Sequence, residues 1–342
     1  MTSPTHHVVQ LTLPADRPPW TPTGMRVRRG DRVTLLGSGF VHWSATRGEG
    51  AGAKYHLWGR VPGGEIFGCT QDTTTVQVDR DGELELCVYV GAWADRLGNL
   101  ATGEGPYRRR SGALDVTAVR WAAGTDPIEA LESPPATVNP SLAASERERL
   151  SRPVTPPDGW EHFLDFGPTD IFRASDLDAR PAIDIHCDDD VGILRKDVDI
   201  ALTRDTTIEW TWQVDELPSQ APENKISTHE YVSIAAEFDS GRDLTWLWSY
   251  CLAPVVDTFH CPVRRWTDRE THMPVRSGTA ELGTVLRESR NVFDDHRRFM
   301  GPPPQRIVRV WLIAVSHFTH GLGRATFSDI VLRNGPDHVR VL

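Results

Sequence analysis

Residues 206–250 read TTIEWTWQVDELPSQAPENKISTHEYVSIAAEFDSGRDLTWLWSY. Three segments within them, 207–214, 231–238 and 245–250, alternate apolar or aromatic residues with polar ones, and the breaks between are rich in Pro, Gly, Asp, Asn and Ser. A period of two sends successive side chains to opposite faces, so the stretch predicts three consecutive strands of one antiparallel sheet. Trp210 and Trp212 then share a face of their strand, as do Trp246, Trp248 and Tyr250 of theirs. Two uses of these rings stand open. They fill the space between two sheets, because aromatics dominate core burial, or they form a platform on a concave face where flat rings stack on a sugar or polyketide-like ligand.

The same alternation continues outward from this stretch. Segments 163–166, 182–187, 192–198, 281–290, 307–315 and 325–332 also read as strands. One helix is expected at 291–300, NVFDDHRRFM, with Asn291 as N-cap, Asp294 and Asp295 in the acid-favouring first turn, and Gly301 and prolines beyond its end. Nine strands and one short helix predict a jelly-roll-like sandwich over 159–342. Upstream, residues 123–158 are rich in Pro, Ala and charge and lack aromatics until the domain resumes, which reads as a Pro-rich linker that docks as a semi-rigid spacer. Residues 1–122 hold further short runs at 55–61, 74–78, 83–90 and 112–119, and a turn at Arg29-Gly30-Asp31 between two more. Gly37 and Gly39 are expected to mark a bulge or bend. The fold class expected is therefore all-β, two β-sandwich domains.

A chain of 342 residues agrees with two domains, and 39% hydrophobic with 25% charged residues is ordinary for a globular protein. The formal charge of −10, with both signs interspersed, argues against nucleic acid or an anionic membrane as partner. No apolar run approaches the roughly 18 residues of a membrane span, and the first residues lack the pattern of a secretory signal, so a cytoplasmic location is expected. Five cysteines without C-x-x-C spacing predict reduced thiols rather than a disulfide framework or a structural zinc site.

In the first half, RRGDRVTLLGSGFVHW, HLWGRVPGGEIFG, DRDGELELCVYVGAW and RRRSGALDVTAV follow one another. In that order, over about residues 24–121, they resemble the galactophilic PA-I-type lectins. The resemblance implies a lectin-like sandwich. In those lectins an Asn-Asp pair after the strand ending near Tyr89, and an Asn-Asn-Ser-Gly or Asp-Asn-Ser-Gly run before the last strand, hold a calcium ion that binds sugar hydroxyls. Here the two places are Val90-Gly91 and Arg109-Arg110-Ser111-Gly112. Calcium needs about six to eight oxygen ligands and arginine offers none, so the calcium site is expected to be lost. Asp95, Asn99 and Glu104 read as a solvated loop.

In the second half, IEWTWQVDELP, EYVSIAAEFDSG, TWLWSY, LRESRNVFDDHRRFMGPPP and VWLIAVSHFTHGLGRATFSDIVL resemble an uncharacterised bacterial family, over about residues 159–334. No reaction follows from that resemblance. Its members carry an Asp-Asp pair where this chain has His229-Glu230, and a loop rich in Asp, Thr and Asn where this chain has residues 316–320, SHFTH.

Histidine titrates near neutrality, so His229, Glu230, His317 and His320 are the polar candidates for proton transfer, with Arg290 as an anchor for a carboxylate or oxyanion. Against this, Arg290 with Glu288 reads equally as a structural ion pair, and loop histidines are usually solvated. Neighbours on a strand face apart, so His229 and Glu230 need irregular backbone to act together. The run 184–190, DIHCDDD, reads as a polar turn, and His260-Cys261 with His272 lacks an orienting acid, so residues 253–278 read as a lid. Two functions remain. One is a glycan-binding protein, or a binder of a similar hydroxylated small molecule, using Trp212, Trp246, Trp248, Tyr250 and His320. The other is a cofactor-independent cyclase, lyase or isomerase using His229, Glu230, Arg290 and His317. Neither requires a metal or cofactor.

Overall fold

The computed structural model describes residues 6–342 other than 45 and 47. The chain divides into two compact units, Met1–Pro153 with Leu164–Pro168, and Val154–Phe163 with Thr169–Leu342. Each unit is built from two sheets, so the all-β class expected from the sequence holds.

In the first unit one sheet runs His6–Pro14, Ser111–Trp121, Arg32–Ser44, Glu49–Ala51, with Thr73–Gln77 also paired to Arg32–Ser44. The other runs Thr21–Val27, Gly82–Val88, Leu57–Arg60, Phe67–Gly68. Alternate residues from both, including Leu13, Met25, Val33, Leu35, Leu84 and Leu86, make the core. The expected turn forms at Arg28–Asp31, where the Arg28 amide donates to the Asp31 carboxylate at 2.9 Å. Gly37 and Gly39 do not mark a bulge, because the ladder between Arg32–Ser44 and Ser111–Trp121 runs through without a register shift. They allow close approach instead. A Cβ on Gly37 would lie 2.5 Å from that of Ala53, and one on Gly39, at φ +97°, would lie 2.4 Å from the Ala113 carbonyl oxygen.

Residues 123–158, expected to be a linker, contain the helices Pro127–Ala130 and Pro140–Ser151, and the second belongs to the first unit. Asn139 caps that helix through the Ser141 amide, and Pro140 sits in its first turn. Its Glu146 is fully buried, accepts from Thr73 Oγ1 at 2.7 Å and is forked by Arg149. The sequence allows a turn or two of helix at 145–150; the helix runs longer, setting Leu142, Ala143 and Leu150 against Leu36, Val119 and Trp121 beside the buried Glu146.

In the second unit a seven-stranded sheet runs in the order Glu161–His162, Val191–Ala201, Arg306–Val315, Tyr231–Phe238, Asp243–Ser249, Glu270–Ser277, Phe259–His260. The opposing sheet runs Phe172–Leu177, Arg180–Asp188, Leu322–Asn334, Thr206–Glu216, Val285–Asn291. The three segments of the deciding stretch are thus strands, but not of one sheet: Thr206–Glu216 lies across the core from the other two. Residues 253–278, expected as a lid, contain the strand Glu270–Ser277, which pairs in parallel with Asp243–Ser249. Parallel neighbours require a long connection, and residues 250–269 supply it. The helix Val292–Phe299 forms as expected, with Asn291 Oδ1 accepting from the Asp294 amide at 2.8 Å.

Candidate functional site

The period of two on the seven-stranded sheet separates two buried faces. Val232, Ile234, Ala236 and Phe238, then Leu244, Trp246 and Trp248, and Met273 point into the sandwich core. Trp246 lies 6.0 Å from Trp210 and Trp248 lies 5.6 Å from Trp212, ring centroid to centroid across the core. Trp212, Trp246 and Trp248 are therefore core residues and not a ligand platform. Each indole N–H is also spoken for: Trp212 donates to Glu288, Trp246 to Asp295 and Trp248 to the Gly278 carbonyl. Tyr250 is half-buried just past its strand, its amide held by Glu223.

The opposite face carries Tyr231, Ser233, Asp243, Thr245, Glu270 and His272, all buried. Register explains the grouping, since Asp243 pairs with Glu270 and Thr245 with His272. The connection covers this face by bringing Phe259 to 5.1 Å from the His272 ring and placing Cys261 beside it. His229 enters from the turn before Tyr231–Phe238. Its Nδ1–H donates to the Glu223 carbonyl at 2.7 Å, which fixes the tautomer and leaves Nε2 bare, 3.4 Å from Cys261 Sγ. Its ring stacks on His272 at 4.9 Å and 26°. Burial holds His229 down to about 4 against the opposing carbonyl hydrogen bond. Burial, then the neighbouring His229 and His260, also holds His272 well below its ordinary value. Both imidazoles are neutral near pH 7. Burial pushes the Cys261 thiol up, with the Glu270 charge adding to it, so this is no thiolate nucleophile.

Glu230, the neighbour of His229, turns elsewhere. Its carboxylate accepts from the Thr319 amide at 2.6 Å and from the Thr319 hydroxyl, bracing the loop after Arg306–Val315. His229 and Glu230 thus serve different partners, and the expected His229-Glu230 acid–base couple is not assembled. Arg290 is committed to Asp295 through two bonds of 2.9 and 2.5 Å, while Glu288 pairs with Arg276. His317 and His320 do meet, each with Nδ1 2.9 Å from Asp189 Oδ1, at the solvent-facing end of the sandwich. Asp189 and His320 adopt left-handed backbone at φ 46° and 57°.

On the first unit, a shallow depression of about 510 Å³ is lined by Gly105, Pro106, Arg108, Arg109 and Arg110. The short 3₁₀ turn Gly105–Arg109 is pinned by Tyr107, whose hydroxyl donates to the Val88 carbonyl at 2.8 Å. Arg108 and Arg109 are exposed, and neither has a carboxylate partner among the described residues. Arg110 is half-buried and donates to the Trp43 carbonyl at 3.3 Å; burial and the neighbouring Arg109 charge lower its pKa. Gly112, at φ +93°, lets the strand pass the Phe40 carbonyl, where a Cβ would sit 2.1 Å from the oxygen. Asp95 serves its own loop, accepting from the Leu97 and Asn99 amides and from the Asn99 side chain.

A family model described as "Protein of unknown function (DUF3047)" matches residues 158–331, just over half of the 342-residue chain. The chain belongs to that family. The match falls on the half whose motifs resembled an uncharacterised bacterial family. No curated protein matches the sequence. Among solved structures, the chain is similar to the EclA N-terminal domain, a PllA-like lectin, at 17% identity over 34% of this chain and 99% of that one, with a TM-score of 0.28. The xyloglucanase domain of NopAA, a type three effector from Sinorhizobium fredii in complex with cellobiose, matches at 9% identity over 52% of this chain and 94% of that one, with a TM-score of 0.32. Carbohydrate-binding modules of the β-sandwich superfamily match at 8% identity over 93% and 99%, with a TM-score of 0.21. No helix among the described residues is long and apolar enough to cross a membrane.

Proposed function

We propose that the protein binds glycans, and that the N-terminal sandwich takes an acidic sugar at the arginine-lined depression without calcium. The observation that carries this reading is the trio Arg108, Arg109 and Arg110 around one depression, with the two exposed members lacking a carboxylate partner among the described residues. Adjacent like charges lower their mutual repulsion when an anion sits between them. The place also has meaning in the resembled lectins, whose run before the last strand holds the cation that meets the sugar. In this chain that run begins with Arg109 and Arg110. A guanidinium donates paired N–H groups to a carboxylate or sulfate, doing for an acidic sugar what a metal ion does for hydroxyls.

Titration calorimetry with galacturonate, sialic acid and galactose, each with and without EDTA, tests the reading. The acidic sugars should bind alike in both buffers, and added salt should weaken them because the arginines are exposed. Charge-assisted hydrogen bonds contribute about 1.5–3 kcal/mol, so an Arg108→Ala/Arg109→Ala double variant should bind at least about tenfold more weakly with an unchanged unfolding midpoint. Equal affinity for neutral galactose, abolition by EDTA, or undiminished binding by the variant each rejects the reading.

A further inference from the structure

The face of the seven-stranded sheet away from the core holds polar atoms that nothing in the glycan reading uses. His272 is 0% exposed, and neither of its ring nitrogens makes a hydrogen bond. Its Nε2 lies 3.4 Å from Glu270 Oε2, but out of line for a ring N–H to donate. Burying an imidazole with both nitrogens unsatisfied is costly, and a ligand to one nitrogen removes that nitrogen's share of the cost. Cys261 is 1% and His229 3% exposed, and both lie against it. The ligand atoms of His229, Cys261 and His272 all lie within 4.8 Å of one another.

We propose that His229, Cys261 and His272 bind a zinc ion, with the Glu270 carboxylate, which lies outside that close trio but 3.4 Å from His272 Nε2, swinging in as the fourth ligand. Zinc takes nitrogen at about 2.0–2.1 Å and sulfur at about 2.3 Å, which puts neighbouring ligand atoms of a tetrahedron roughly 3.3–3.6 Å apart. The 3.4 Å from His229 Nε2 to Cys261 Sγ and the 3.4 Å from His272 Nε2 to Glu270 Oε2 are edges of that size. The outer contact of His229 agrees. A ligating histidine donates its other ring N–H to a carbonyl or carboxylate, which orients it, and His229 does so to the Glu223 carbonyl. Glu223 is itself held by Ser249 Oγ at 2.5 Å and the Tyr250 amide at 2.8 Å. The set of two imidazoles, one thiol and one carboxylate suits a borderline-soft ion and not calcium or magnesium. On binding, the Cys261 thiol gives its proton to solvent and the sulfur enters as thiolate. The closed surroundings make this a structural site, fastening the crossing segment 250–269 to the sheet.

The full chain, purified from cells grown in ordinary and in cobalt-supplemented medium, tests the assignment. Elemental analysis should find about one zinc per chain from ordinary medium, the count of a single closed site. The cobalt form should show thiolate-to-cobalt charge transfer with the intense visible bands of a tetrahedral site. Cys261→Ser should remove the charge transfer, His272→Gln should weaken metal affinity by more than the roughly tenfold that loss of an outer contact costs, and Glu270→Gln should shift the visible bands while keeping charge transfer. The His317→Ala/His320→Ala double variant, altering the exposed cluster around Asp189, should keep all of these signals. Because the buried variants can unfold, the wild-type spectrum stands alone as a test: cobalt-grown wild type without charge transfer overturns the proposal. So does charge transfer that survives Cys261→Ser, or a different metal at stoichiometry in chain from ordinary medium.

Discussion

The two faces of the seven-stranded sheet are buried alike and chemically opposite. On the inner face Val232, Ile234, Phe238, Leu244, Trp246 and Trp248 pack against Trp210, Trp212 and Phe327 of the other sheet. On the outer face Ser233, Asp243, Thr245, Glu270 and His272 are no more accessible, yet Ser233 Oγ, Asp243 Oδ2 and both His272 nitrogens lack hydrogen bonds among the described residues. The usual alternation sorts core from solvent. Here it sorts packing from chemistry, because a second layer, the crossing segment, has closed over the outer face. Burial therefore measures stability on one side of the sheet and unused binding capacity on the other.

The comparison breaks first if the inner face is not the stabilising one. Trp246→Ala should cost about 3–5 kcal/mol, from the cavity and the lost indole, and it also leaves Asp295 short of a donor; equilibrium denaturation reads the loss as a fall in midpoint. Glu230→Gln comes next. It removes the charged acceptor of the Thr319 amide and hydroxyl, and should cost about 1–3 kcal/mol, with faster amide exchange at 317–320.

A smaller effect separates the faces by pH. His296 meets the inner-face residue Phe238 edge-on at 4.8 Å, and its Nδ1–H donates to the Gly301 carbonyl at 3.3 Å. Burial lowers its pKa, with the Arg242 charge adding and the Gly301 hydrogen bond opposing. A histidine depressed on folding contributes stability fully above the unfolded value near 6.5 and loses it as pH falls below that, because only the unfolded chain takes the proton. Melting temperatures of wild type and His296→Gln should accordingly converge as pH drops from 7 toward 5. The smallest effect is on the outer face: Ser233→Ala removes an unsatisfied hydroxyl and should change stability by less than about 0.5 kcal/mol, or raise it. A loss like that of Trp246→Ala would erase the distinction.

Much of this was legible in sequence wherever one physical signal acted alone. Alternating Trp and polar residues marked Thr206–Glu216 and Asp243–Ser249 as strands, and Asn291 with two aspartates marked the helix they cap. What alternation does not encode is which sheet a strand joins, and the first of the three segments went to the far side of the core. Glu270–Ser277 was hidden because both of its faces are buried and Pro274 interrupts it, leaving no period to read. Of the outer-face cluster, Cys261 and His272 stand out together in the sequence, but nothing there joins them to His229 or Glu270. Cys261 and His272 reach His229 only through a parallel pairing that no local pattern announces. The Asp-Asp position of the resembled family drew attention to His229 for proton transfer, whereas the neutral, enclosed ring is suited to ligation.

Pro274 also shapes the edge of the seven-stranded sheet. Beyond Glu270–Ser277 only the two residues Phe259–His260 continue the sheet, pairing with Thr271 and His272, so the remainder of that strand is a border. A border with free donors and acceptors recruits further strands from other molecules. Pro274 has no amide to offer, and Val255 already occupies its carbonyl at 2.8 Å. The border at Pro274 thus offers a further strand no donor, and its acceptor is already taken.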